Sequence, residues 1–180
     1  MSQLISIKSV QDIPVTYRET PIEKLLKYQN LKQESTVYPK AELLIGTCVD
    51  HRIQLHLPKN FAYMVRAGGA NMKYSEFKIS YAIAIAGIKH IALIGHNQCG
   101  MSNLNSKKNE FINGLVHHAG WNSEEAESFF IKHAPDFEVG NEQHFTLKET
   151  RRLRKKYPDI IIAPMMYLVE DNLLYFINEK

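Results

Sequence analysis

The chain has 180 residues, which suits one domain, because about 150 residues per domain is typical. Its 44% hydrophobic and 23% charged residues exclude disordered, collagen-like and coiled-coil classes. Lys and Arg number 22 against 19 Asp and Glu, and a net charge of +3 is too small to point to a nucleic-acid partner.

The first 30 residues hold no apolar stretch of signal-peptide length and carry Lys8, Asp12, Arg18 and Glu19. No run approaches the roughly 18 apolar residues of a membrane span, so the expected location is cytoplasmic, with no membrane partner. Thr20-Pro21 opens a short helix through Tyr28, with Thr20 at the cap and Pro21 in the first turn. Ala41–Thr47 is a short apolar run that reads as a buried strand, and Phe61–Val65 is a second, ending at Ala67-Gly68-Gly69. Ser75–Ala86 is expected to be helical, with Phe77, Tyr81, Ala84, Ile85 and Ile88 at helical spacing and Gly87 as its stop. Ile91–Gly95 is a third strand. Residues 107–140 are polar and less regular, with short amphipathic pieces over Phe111–His118 and Ser123–His133. Leu147–Tyr157 forms a basic helix that stops before Pro158, Ile160–Met166 a fourth strand and Leu173–Ile177 an edge strand. Continuous apolar strands alternating with helices give an α/β fold, a mostly parallel central sheet of four to five strands flanked by helices.

Two cysteines, Cys48 and Cys99, cannot build a disulfide framework. One disulfide, two inert core thiols or a shared metal remain open on that count alone. Each cysteine follows a predicted strand and stands in a polar cluster: Thr47-Cys48-Val49-Asp50-His51-Arg52 and Gly95-His96-Asn97-Gln98-Cys99-Gly100. In open α/β sheets ligands bind beyond the carboxyl ends of the strands. If the first and third strands are neighbours, Cys48, His96 and Cys99 meet at one rim, a donor set suited to Zn²⁺ with a fourth position left open. Asp50 and Arg52 stand two apart, so the guanidinium can hold the carboxylate, keep it ionised and aim it. The basic cluster Arg151–Lys156 has no aromatic interleaving and reads as a solvated helix face, and His117, His118 and His133 as surface histidines. Trp121, Phe129 and Phe130 read as core or subunit-interface residues.

Cys-x-Asp-x-Arg, followed after a strand by His-x-x-Cys-Gly, resembles the β-class carbonic anhydrases. Ala67-Gly68-Gly69 looks like the end of that family's Arg-Asn-Ala-Gly segment, and residues 75–95 look like its helix and third strand. The resemblance implies one domain over residues 1–180, with an N-terminal helical arm (1–40) and a catalytic α/β core (41–180). It implies Cys48, His96 and Cys99 as zinc ligands, Asp50 and Arg52 as a catalytic dyad, and Gly68 and Gly69 beside the substrate. It also implies a homodimer or higher homo-oligomer with the N-terminal helix packed on a partner. The expected reaction is reversible hydration of carbon dioxide to bicarbonate and a proton, with Asp50 orienting the nucleophile and a small apolar pocket, completed by a second subunit, holding the gas. Carbonyl sulfide or carbon disulfide hydrolysis at the same zinc site is an alternative. A third reading, a non-catalytic zinc-stabilised interaction module, rests on Val65-Arg66 standing where the family has Arg-Asn.

Overall fold

The computed structural model describes residues 3–34 and 36–179; Met1, Ser2, Ser35 and Lys180, which fall within the ranges assigned above, lie outside the described residues. Six strands form one sheet: β1 (Leu4–Ser6), β2 (Leu43–Thr47), β3 (Ala62–Arg66), β4 (His90–His96), β5 (Ile161–Leu168) and β6 (Leu173–Ile177). Their order is β1-β6-β5-β4-β2-β3. Strands β2 to β5 pair in parallel, while β6 and β1 extend the sheet antiparallel. The fold class is the expected α/β. The sheet has one strand beyond the four to five expected, because Leu4–Ser6 pairs with Tyr175–Ile177. Three residues without apolar alternation carry no strand signal; the hydrogen-bond capacity of the β6 edge draws them in.

Successive residues of a strand face opposite ways, and the central strands are apolar on both faces. Leu43 and Ile45 of β2, with Ala92 and Ile94 of β4, belong to one core layer, and Leu44, Ile91 and Leu93 to the other. Helix α1 (Pro21–Gln29) covers the first layer with Ile22, Leu25 and Leu26, all fully buried. Thr20 caps it, its Oγ1 accepting the Ile22 N–H at 3.2 Å. The apolar face of this helix is buried on the sheet of its own chain.

Helices α2 (Glu76–Ala86) and α5 (Glu142–Lys156) cover the other face, α2 through Ile79 and Ala82, α5 through Leu153. Gly87 ends α2 at φ 69°, a left-handed turn that glycine adopts without steric cost. The spacing within α2 is helical as expected, but its large apolar residues point outward: Phe77 is 83% and Ile85 69% exposed. Helix α5 begins five residues before the expected start, because Asn141 Oδ1 caps it by accepting the His144 N–H. Residues 107–140 are more regular than their composition indicates and form a helical hairpin, α3 (Lys108–Ala119) and α4 (Ser123–Phe137).

Candidate metal centre

Pairing register brings the two cysteine segments together. Thr47 of β2 pairs with Ile94 of β4, so the next residue, Cys48, leaves the sheet at the level where β4 ends in His96. The Thr47 hydroxyl donates to the Ile94 carbonyl at 3.1 Å and fixes this register from within. Cys48, His96 and Cys99 are all buried, and their Sγ and ring-nitrogen atoms lie within 4.8 Å of one another. The Gly69 N–H donates to Cys48 Sγ at 3.2 Å, and the Met101 N–H to Cys99 Sγ at 3.4 Å. Backbone donors directed at sulfur favour the thiolate form. The neighbouring Cys99 thiol, and after it the nearby His96 ring, pull the Cys48 thiol down to about 4, while the contact with Cys48 pushes the Cys99 thiol up.

Both ring nitrogens of His96 are buried without a hydrogen-bond partner. An unpaired buried polar group costs about 1–3 kcal/mol, so the imidazole needs a partner that the described residues do not supply. Two thiols and one imidazole are donors that zinc takes in sites of three protein ligands. The residues present fit that ion.

Asp50 stands beside this cluster, its Oδ2 4.0 Å from His96 Nε2. Arg52 grips it with two parallel hydrogen bonds, Nε to Oδ1 at 3.0 Å and Nη2 to Oδ2 at 2.8 Å, and adds its backbone N–H to Oδ1 at 2.9 Å. The side-chain pairing with Arg52 holds the Asp50 carboxyl far below the usual carboxylate range. Asp50 is therefore a fixed, ionised acceptor at the rim. His51, between them in sequence, is 94% exposed along its side chain and points into solvent.

The loop carrying this pair is clamped from β3. Arg66 Nη1 donates to the Cys48 carbonyl at 3.0 Å, and Nη2 donates to the Ile53 carbonyl at 3.2 Å. One guanidinium thus spans both ends of the 48–53 loop. The sequence shows Arg66 but not this use of it, since the contact crosses from one strand end to the next.

Gly69 adopts φ 63°, and a Cβ there would overlap the Val139 side chain. Gly68 lines an apolar cavity of about 530 Å³ with Val49, Met101, Phe130, Ala134 and Phe137. Val49 adjoins Cys48 in the chain and Met101 lies two residues past Cys99, so the cavity neighbours the donor cluster. Residues of the α3–α4 hairpin form one of its walls. Phe130 is buried, while Phe129 and Trp121 are half-exposed and meet edge to face at 5.3 Å. In the basic cluster, Arg152 pairs with Glu149 and Glu76, Arg154 with Glu179, and Lys156 with Glu76. Three of its cations are thus engaged within the chain.

The carbonic anhydrase family profile matches residues 43–160, a span that includes both cysteine segments. YvdA from Bacillus subtilis (strain 168), whose name assigns it provisionally to the carbonic anhydrases, is 28% identical over 116 residues, 59% of this chain and 55% of that protein. The match therefore spans about half the length of that curated relative. Among solved structures, β-carbonic anhydrase isoform I from Trichomonas vaginalis superposes with a TM-score of 0.61 at 18% identity, over 93% of this chain and 100% of that one. A carbonic anhydrase from Glaciozyma antarctica gives 0.60 at 16% identity, covering 90% and 98%. The apo form of a carbon disulfide hydrolase gives 0.59 at 20% identity, covering 93% of each chain. At these identities the likeness to solved structures concerns the fold.

Proposed function

The chain belongs to the β-carbonic anhydrase family, and on that premise we propose that it is a zinc enzyme hydrating carbon dioxide reversibly to bicarbonate and a proton. The observation that carries this reading is the buried Cys48–His96–Cys99 cluster, with an unpartnered imidazole and an ionised carboxylate 4.0 Å away. Cys48, His96 and Cys99 would hold the ion, which supplies Lewis acidity that makes water a nucleophile near neutral pH. Two thiolates neutralise much of the charge of Zn²⁺, so an oriented acceptor matters more here than in a three-histidine site. Asp50 fills that need: it accepts a hydrogen bond from the attacking water and orients it, while Arg52 keeps Asp50 ionised and fixes its direction. The cavity beside Val49 and Gly68 would receive the uncharged substrate, and the Gly69 N–H steadies the Cys48 sulfur.

Two free thiols and the resemblance support a cytoplasmic enzyme, and among the described residues no helix is long and apolar enough to cross a membrane. A homodimer or higher homo-oligomer is supported by the edge position of β3 and the outward apolar face of α2.

Purified full-length protein should bind about one zinc per chain, the stoichiometry a single such site allows. It should accelerate the pH drop after addition of carbon dioxide. Zinc-replete protein that is inactive at both mildly acidic and alkaline pH would overturn the reading. The apolar cavity also favours a second reading, hydrolysis of carbonyl sulfide or carbon disulfide. Release of hydrogen sulfide from those gases, with little carbon dioxide hydration, would select it.

A further inference from the structure

Beyond the dyad, Arg52 makes a second set of contacts. Its Nη2 donates to the Gln98 carbonyl at 2.9 Å as well as to Asp50, and its Nη1 faces Gln98 Oε1 at 3.3 Å. Gln98 lies between His96 and Cys99 and adopts φ 54°, a left-handed conformation that costs a non-glycine residue roughly 1–2 kcal/mol. Something must hold it there.

Glu170, on the turn between β5 and β6, supplies that hold. Its Oε1 accepts Gln98 Nε2 at 2.9 Å and Asn97 Nδ2 at 2.6 Å, and its Oε2 accepts the same Asn97 amide at 2.8 Å. Asn97 Oδ1 in turn accepts the Val169 N–H at 3.0 Å, so the two turns are latched in both directions. A primary amide offers an oxygen on one side and a donor NH₂ on the other. By taking the NH₂ of Gln98, Glu170 leaves only the oxygen to face the guanidinium. A flipped amide would present N–H to N–H and push Arg52 away from Asp50.

We propose that Glu170 is a positioning residue for the Asp50–Arg52 dyad, acting through the Gln98 amide, whose orientation it sets. The inference rests on the proposed zinc-dependent reaction for its kinetic consequence, but its structural consequence can be read without catalysis. Glu170 is exposed, so replacing it strands no buried charge, and the variant is expected to fold.

The test uses full-length, zinc-loaded protein in three forms: wild type, Glu170→Ala, which removes the acceptor, and the swap Gln98→Glu with Glu170→Gln. In the swap, residue 98 presents carboxylate oxygens both to Arg52 and to the new amide, so the latch is rebuilt with donor and acceptor exchanged. Two readouts are taken: solvent exchange of the Arg52 Nε–H by nitrogen-15 NMR, assigned through its loss in Arg52→Lys, and the kinetics of carbon dioxide hydration. Glu170→Ala should speed Nε–H exchange and lower kcat, each by about tenfold, the scale of a modest misplacement of a reacting group. KM, zinc content and Tm should stay at wild-type values, and the swap should recover most of both losses. Wild-type exchange in Glu170→Ala, a loss tracking zinc content or Tm, or a swap no better than the single variant would overturn the proposal. If zinc-loaded wild type shows no hydration while Nε–H exchange still responds to Glu170→Ala and recovers in the swap, the proposed reaction fails and the positioning role stands.

Discussion

Cys48 is held by a glycine that no other residue replaces cheaply. Gly69 combines φ 63°, contact with Val139 and an N–H directed at Cys48 Sγ. Gly69→Ala should destabilise the fold by about 2–4 kcal/mol, joining the left-handed penalty to overpacking against Val139. Urea denaturation of the purified variant measures this, and an unchanged midpoint would contradict the packing described for that turn. At this scale the sequence was most legible where chemistry and strand ends coincide. Cys48, His96 and Cys99 could be placed together because each lies at the end of an apolar run, and Asp50 and Arg52 could be paired because they are close in sequence. Arg66, Gln98 and Glu170 were not legible in these roles. Their contacts join residues 13 to 73 positions apart, as Arg66 with Ile53 and Asn97 with Glu170 show, and such contacts leave no periodicity to read.

Among the elements, α1 is seated by its apolar face on the sheet of its own chain. The Thr20-Pro21 start was legible because capping is local chemistry, whereas the surface that α1 covers depends on how the whole chain folds. Leu25 and Leu26 are fully buried against the sheet of their own chain, and Gln29 Nε2 donates to the Asn172 carbonyl at 2.6 Å. Removing a buried leucine side chain to Ala costs about 2–5 kcal/mol. Leu26→Ala should therefore lower stability by that amount independently of protein concentration. A loss that fades as the protein is concentrated would show instead that the helix is stabilised by a partner. Helices α3 and α4 were only partly legible for a related reason. Ile112 is the one buried residue of α3, so its short amphipathic pattern does not mark a core-facing helix. Its ordered form owes more to packing against α4, where Phe111 meets Phe130 with ring centroids 5.2 Å apart.

For the whole molecule, the sheet ends at β3 on one side, where Tyr63 and Met64 are part-exposed. Helix α2 lies against β3 and presents Phe77, Tyr81 and Ile85 at four-residue intervals along one outward face. The sequence showed this periodicity, but periodicity alone does not say whether an apolar face meets its own core or another chain. Ile79 and Ala82 already seat α2 on the core, so the larger stripe is surplus to the fold. Contiguous exposed apolar surface beside an open strand edge is a feature of association sites. If two copies meet here about a two-fold axis, every substitution enters the contact twice, and like charges face each other. Phe77→Glu combined with Ile85→Glu should then convert a species of twice the 20.7 kDa chain mass into a monomer, as measured by sedimentation equilibrium. Because neither residue packs in the core, the variant should keep the wild-type far-ultraviolet circular dichroism and bind zinc with unchanged stoichiometry. A wild type that sediments as a monomer, or a double variant that remains dimeric, would place the subunit contact elsewhere or remove the case for one.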